Sequence, residues 1–252
     1  MMEQKTKNVE WQEAQSQEIM FWKSLKLSNT SGEVAHSVRQ YRRCIELFGV
    51  KLAKTCKVLD VGSGCYGGFA VAYPDVNAVS VDPLIGKVKL SFPDKSNPVC
   101  GIAEDLAFAS GSIDVVVSVN ALDHSADPER MLLEIKRVMK EGGEFILMAN
   151  FVSQKLHVIH RVLFKSKLRK ATVAVVSLRY ISRLTNEVAS KLTRVFLGKF
   201  EVLNDGVLHP VYFTESELFK LLEASGFVIK KYLVLIPDDF YKTDLFVHCK
   251  VS

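Results

Sequence analysis

The densest chemistry in this sequence lies in VLDVGSGCYGGF, Val58 to Phe69, where Gly62, Gly64 and Gly67 are spaced G-x-G-x-x-G. Glycines so placed at the end of a strand let the backbone turn tightly and approach a ligand closely. Two acids refine what that ligand is. Asp82 closes the apolar run AVSVD twenty residues beyond Gly62, a place from which a carboxylate accepts hydrogen bonds from both hydroxyls of a ribose. Asp60 stands two residues before Gly62, where a carboxylate orders the loop and faces a ligand ammonium group, directly or through water. A dinucleotide pyrophosphate would be repelled there. The glycines and Asp82 suit either kind of ligand, but Asp60 favours a nucleoside with a zwitterionic amino-acid tail.

VLDVGSGCYGGF resembles the first motif of the class I methyltransferases. The run from Gly101 to Leu147 is similar to the broad type 11 group of that class: an A-E-x-L-x-F turn, a strand beginning Ile113-Asp114, a loop ending in His124, a D-P-E helix start at Asp127, and R-V-x-K-x-G-G from Arg137. Further on, HPVYFTESELFKLLEASGF resembles the group's H-x-x-x-F-T helix and following G-F strand. The resemblance implies S-adenosyl-L-methionine as cofactor. It also implies that Gly62, Ser63 and Gly64 line the methionine portion with Asp60 beneath, that Asp82 binds the ribose and that Pro83 packs near the adenine. Ala103 would offer its backbone N–H to the adenine ring with Glu104 beside it, and Asn120 would lie under the methionine amine. Many relatives carry Asp where this chain has Ile102, so the usual contact to the adenine amino group is not expected here.

Methyl transfer from a sulfonium is an in-line displacement at carbon, to which positioning alone contributes much. A general base matters only where the acceptor must lose a proton, and a neutral histidine suits a hydroxyl acceptor. His124 in SVNALDHS and His209 in HPVYFT are the candidates, because both loops should border the methyl group. Asp123 is a weaker candidate, expected to be solvated. The N-P-P-Y sequence of enzymes acting on exocyclic base amines is replaced by N-A-L-D at Asn120, no Pro-Cys dipeptide occurs, and the paired-glutamate loop of arginine methyltransferases is missing. A small-molecule O-methyltransferase acting on a sugar, lipid-linked intermediate or secondary metabolite is the leading reading. An RNA or protein methyltransferase, and a cofactor-binding protein without its own activity, remain alternatives.

The elements that must position these residues show in the hydropathy pattern. KVLDV, AVSVD, DVVVSV and GEFILMAN read as strands and PERMLLEIKRVMK as a helix, an alternation that marks a parallel sheet with crossover helices. Asp127 is placed to cap that helix, Pro128 fits its first position, and Gly142-Gly143 should end it after Lys140. Thr214 and Glu217 have capping-box spacing at the start of a later helix closed by Gly226, and two antiparallel strands, VIKKYLVLI and DLFVHCK, follow. Upstream, Val38, Tyr41, Ile45 and Phe48 repeat at helical spacing. The expected fold is therefore α/β: a Rossmann-like, doubly wound, mostly parallel seven-stranded sheet with an antiparallel last strand, N-terminal helices and a helical insertion. The expected division is a helical preface over 1–54, a cofactor-binding core over 55–150, a basic helical lid over 151–208, and a helix and strands over 209–252 that complete the core.

Charge singles out the insertion. Residues 151–200 hold eleven Lys or Arg against one acid, Glu187, so the net charge of +5 comes from this stretch alone. Faces that merely dissolve a protein usually mix both signs. A basic amphipathic lid attracts an anionic acceptor or an anionic membrane surface, whereas nucleic acid is disfavoured by the sparse aromatics. Five cysteines without C-x-x-C spacing read as free thiols, and no metal site is expected. Without an apolar run of the roughly 18 residues that a span needs, the chain is expected in the cytoplasm, peripheral at the membrane if the lid binds lipid.

Overall fold

The computed structural model describes residues 11–12, 15–20, 23, 30–64, 67–88, 97–151, 213–235 and 243–251. Helix α1 (Thr30–Phe48) precedes β1 (Val58–Val61), α2 (Gly68–Ala72), β2 (Ala78–Asp82), β3 (Asn97–Cys100) and β4 (Ile113–Val119). A 3-10 turn (Leu122–His124) leads into α3 (Pro128–Val138), then β5 (Met139–Phe151), α4 (Glu215–Ala224), β6 (Phe227–Leu235) and β7 (Thr243–Val251). The seven strands form one sheet in the order β3-β2-β1-β4-β5-β7-β6. β1 to β5 pair in parallel, and β7 runs antiparallel to both of its neighbours. This is the Rossmann-like sheet that the alternating pattern predicts.

Both faces of the sheet are covered, which is why β1 and β4 are apolar at positions facing either side and almost wholly buried. Leu59, Val116, Phe145, Leu147 and Val247 pack on one face with Met131, Leu132 and Ile135 of α3 and Leu218 and Leu222 of α4. On the other face Val58, Val117, Ile146, Met148 and Phe246 meet Tyr41, Cys44, Ile45 and Phe48 of α1 and Phe69 of α2. The alternation along β4 and β5 follows the two-residue period of a strand. Buried Cys44 and Cys249 are free, and burial pushes both thiols up to about 12.

The capping signals act where the sequence places them. Asp127 accepts a hydrogen bond from the Arg130 N–H at 3.0 Å, and Thr214 and Glu217 bond reciprocally across the first turn of α4. The end of α3 differs from expectation. The helix stops at Val138 rather than after Lys140, because Met139 takes extended backbone, is buried and pairs with Ile113 of β4. Gly142 and Gly143 lie within β5, where a Cβ on Gly143 would sit 2.9 Å from the Lys140 carbonyl oxygen and 3.1 Å from that of Asp114. They permit an irregular strand entry rather than a helix stop. The predicted lid over 151–208 lies outside the described residues except for Phe151, and so does His209. Among the described residues no helix is long and apolar enough to cross a membrane.

Candidate active site

The strand order reverses between β1 and β4, and the loops leaving the ends of these strands open a crevice there, the usual ligand position in such sheets. A cavity of about 360 Å³ occupies it, within the range of about 300 to 1,000 Å³ typical of small-molecule sites. Three strand ends supply its floor: Gly62, Ser63 and Gly64 after β1, Asp82 and Pro83 at the end of β2, and Asn120 and Ala121 after β4. Gly62 and Gly64 both have positive φ, at 74° and 67°. At Gly62 the space is closed as well, since an added Cβ would collide with the Ala121 Cβ, so the two loops touch where the side chain is missing.

Asp82 is buried, and its two carboxylate oxygens accept backbone N–H groups of Gly64 at 2.9 Å and Leu84 at 2.8 Å. These bonds tie the glycine loop to β2 and leave each oxygen further acceptor capacity. Burial raises the carboxyl to about 7 against the pull of the two amides, and the nearby Glu18 charge adds to the rise. Asp60 sits elsewhere than a direct ligand contact requires. It is fully buried behind the loop, accepts from the Tyr41 hydroxyl at 2.8 Å and the Phe69 N–H at 3.2 Å, and is absent from the cavity wall. Its physical action is to fasten β1, α1 and the start of α2 together. Burial raises this carboxyl also to about 7, and the two hydrogen bonds act against the rise.

The turn after β3 is pinned to α3, which sets Ile102, Ala103 and Glu104 along the cavity. Arg137 donates to the carbonyls of Leu106 and Phe108, while Glu134 accepts the Leu106 N–H and pairs with Arg137. Glu104 has a second partner that its sequence position beside Ala103 does not reveal. Its Oε1 accepts the N–H groups of Ala126 at 2.7 Å and Asp127 at 3.2 Å, so it clamps the loop that carries His124. Asp123, expected to be solvated, is buried at 3% exposure, because the 3-10 turn folds it inward. Asn120 adopts φ 53°, a left-handed conformation that asparagine tolerates better than most residues, and its buried Oδ1 has no hydrogen-bond partner among the described residues.

The remaining wall comes from the N-terminal helices, which the sequence pattern marked only as a preface. Trp11, Gln15 and Glu18 lie at positions i, i+4 and i+7 on one face of the first helical residues, and His36, Ser37, Gln40 and Tyr41 line the cavity from α1. The signal was present as polar residues at helical spacing beside an apolar stripe, but spacing alone does not say what a face packs against. His124, at the end of the 3-10 turn after β4, also lines the cavity.

A family model for the methyltransferase domain matches residues 59–147, the stretch from β1 to β5 that builds the cavity floor. Over this stretch the chain is similar to methyltransferase domains of the type 11 group. Among curated relatives, an uncharacterized methyltransferase of Mycolicibacterium gilvum is 36% identical over 96 residues, covering 36% of this chain and 37% of that protein. A sarcosine/dimethylglycine N-methyltransferase of Aphanothece halophytica is 34% identical over 101 residues, covering 36% of each. The chain thus matches little more than a third of the length of these relatives. The methyltransferase fold extends further than the sequence match. The YcgJ protein of Bacillus subtilis superposes over 86% of this chain and 99% of its own length with TM-score 0.55 at 16% identity. Geranyl diphosphate C-methyltransferase of Streptomyces coelicolor does so over 85% and 79% with TM-score 0.54 at 9% identity.

Proposed function

We propose that this chain is an S-adenosylmethionine-dependent methyltransferase that methylates a hydroxyl of a small polar molecule such as a sugar, a lipid-linked intermediate or a secondary metabolite. The observation that carries the reading is one cavity with two unlike halves. The strand-end half presents positive-φ glycines, an acid with spare acceptor capacity and the unpartnered Asn120 Oδ1. A buried amide oxygen without a partner is costly and is relieved by a donor such as a ligand ammonium. Asp82 can take ribose hydroxyls, and Gly62 and Gly64 leave room for the amino-acid tail. These residues fit S-adenosylmethionine, and the Streptomyces enzyme of like fold was crystallised with S-adenosyl-L-homocysteine.

The bound cofactor supplies an electrophilic methyl on a sulfonium. What this chain's residues contribute is alignment and proton management. The N-terminal wall of Trp11, Gln15, Ser37 and Gln40 is polar and rich in hydrogen-bonding groups, which favours an acceptor bearing hydroxyls over a purely apolar one. His124 would accept the proton of the acceptor's hydroxyl, which frees that oxygen to act as the nucleophile toward the methyl group the cofactor would supply. His209 is the alternative base. The basic stretch at 151–200 serves to draw an anionic acceptor or a bilayer surface towards the site. Changing Lys165, Lys167, Arg169 and Lys170 to Gln should weaken acceptor or anionic-vesicle binding in a salt-dependent way and spare cofactor affinity.

Incubation with methyl-labelled S-adenosylmethionine and fractionated cell lysate tests the reading. Label in a small polar compound or lipid-linked sugar is the expected result. Label in RNA or protein would move the acceptor class, and tight cofactor binding with no labelled product would leave a binding protein without its own activity.

A further inference from the structure

Trp11 and Glu18 both contact a single residue of the cavity lining, His124. The Trp11 indole donates to the carbonyl oxygen of His124 at 3.1 Å, and one face further along, the Glu18 carboxylate lies 3.7 Å from the His124 Nδ1. Residues 11–12 and 15–20 are helical, and positions 11 and 18 stand seven apart, the spacing that puts two side chains on one helix face. The His124 side chain is 20% exposed and that of Glu18 19%, which weakens solvent screening between them. A separation of 3.7 Å is longer than a hydrogen bond, and a shift of less than 1 Å brings the two atoms within bonding range. Catalytic hydrogen bonds commonly tighten in this way as a site fills.

An imidazole acts as a base only through the nitrogen that lacks a proton, and the hydrogen bond made by the other nitrogen decides which that is. We infer that Glu18 is a positioning residue that holds the proton on Nδ1 of His124 and turns its Nε2 toward the methyl acceptor. This rests on the reading of His124 as the base. The carboxylate fixes the ring's tautomer and rotamer before reaction. As Nε2 takes the hydroxyl proton, the same carboxylate stabilises the imidazolium that forms. Trp11 holds the backbone of the same residue, so the N-terminal segment completes the acceptor half of the site. Neither the glycine loop nor the sheet supplies this function.

The test reads the tautomer directly and needs no known acceptor. In protein with ¹⁵N-labelled histidine, saturated with S-adenosylhomocysteine, the His124 signals are assigned by their loss in His124→Gln, and their shifts report which nitrogen carries the proton. The wild-type chain should show the Nδ1–H form at a pH where the ring is neutral, and Glu18→Leu should move the population toward Nε2–H. Glu18→Gln keeps size and an acceptor oxygen but not the charge. It should preserve the Nδ1–H form while lowering kcat by about tenfold or more, with KM little changed, on the acceptor fraction found in the labelled-lysate assay. An Nε2–H ring in the wild type, or a tautomer indifferent to Glu18→Leu in a variant that still binds S-adenosylhomocysteine, would overturn the inference. A Glu18-dependent tautomer together with turnover unaffected by His124→Ala would instead overturn the reading of His124 as base, and the positioning role with it.

Discussion

The Tyr41 hydroxyl donates a 2.8 Å hydrogen bond to Oδ1 of Asp60 across nineteen residues of sequence, joining α1 to the strand that carries the glycine loop. Both residues are buried, and the Tyr41 ring also meets Phe69 edge-on at the start of α2. The bond favours the ionised carboxylate, whereas burial, the larger influence, raises Asp60 to about 7. Because the folded state binds this proton more tightly than the unfolded chain, Asp60's contribution to stability is fully present in acid and is lost as pH rises through about 7. Tyr41→Phe removes a donor to the charged form. Its cost should be largest above that pH, about 1.5 to 3 kcal/mol, and smaller near pH 5. Urea denaturation of wild type and variant at the two pH values checks this, and an equal loss at both would contradict it.

Asp82 should tie cofactor affinity to pH in the opposite direction. Its carboxyl is raised to about 7 by burial, and ligand hydroxyls donating to it would favour the ionised form and lower that value in the complex. Affinity for S-adenosylhomocysteine should therefore be full above about pH 7 and fall as pH drops through it. Asp82→Ala should weaken binding by about 1.5 to 3 kcal/mol and flatten this profile. Calorimetry across the range decides the matter. Absence of binding by the wild-type chain, or tighter binding of a nicotinamide dinucleotide, would refute the cofactor assignment.

The glycines of the loop should fail in different ways. Gly64→Val places a β-branched residue at φ 67° on the cavity wall, so cofactor binding should be abolished while the fold persists. Gly62→Ala drives a methyl group into Ala121 and should cost stability as well as binding. Thermal melts and ligand titration of the two variants separate the effects, and normal binding by Gly64→Val would show the loop to be misplaced.

Glu104 should behave as a clamp on the His124 loop. Both backbone N–H groups that it holds bond to the same Oε1, so Glu104→Gln can keep one oxygen in place while Glu104→Ala leaves both donors without it. The alanine variant should lose about 1.5 to 3 kcal/mol of stability and the glutamine variant distinctly less. Equal losses in chemical denaturation would argue against the clamp.

Most of the sheet and its punctuation were legible because they depend on short-range rules. Strand runs such as DVVVSV announce themselves by continuous burial, and Asp127 and Thr214 cap helices through N–H groups only three residues away. The glycine spacing and Asp82 likewise lie on neighbouring strand ends, so the cofactor half of the cavity follows from one β-α-β unit. The stop of α3 was misplaced by two residues because a glycine pair also serves an irregular strand entry, and only the pairing of Met139 with Ile113 distinguishes the two. What tertiary structure alone decided is which distant faces meet. Asp60 turns toward Tyr41 instead of the cavity, Glu104 reaches across 22 residues to the His124 loop, and Trp11 finds the His124 carbonyl across 113. Such partners are selected by the packing of whole helices on the sheet. Helical period identifies a polar face of this kind, but it carries no information about the surface on which that face comes to rest.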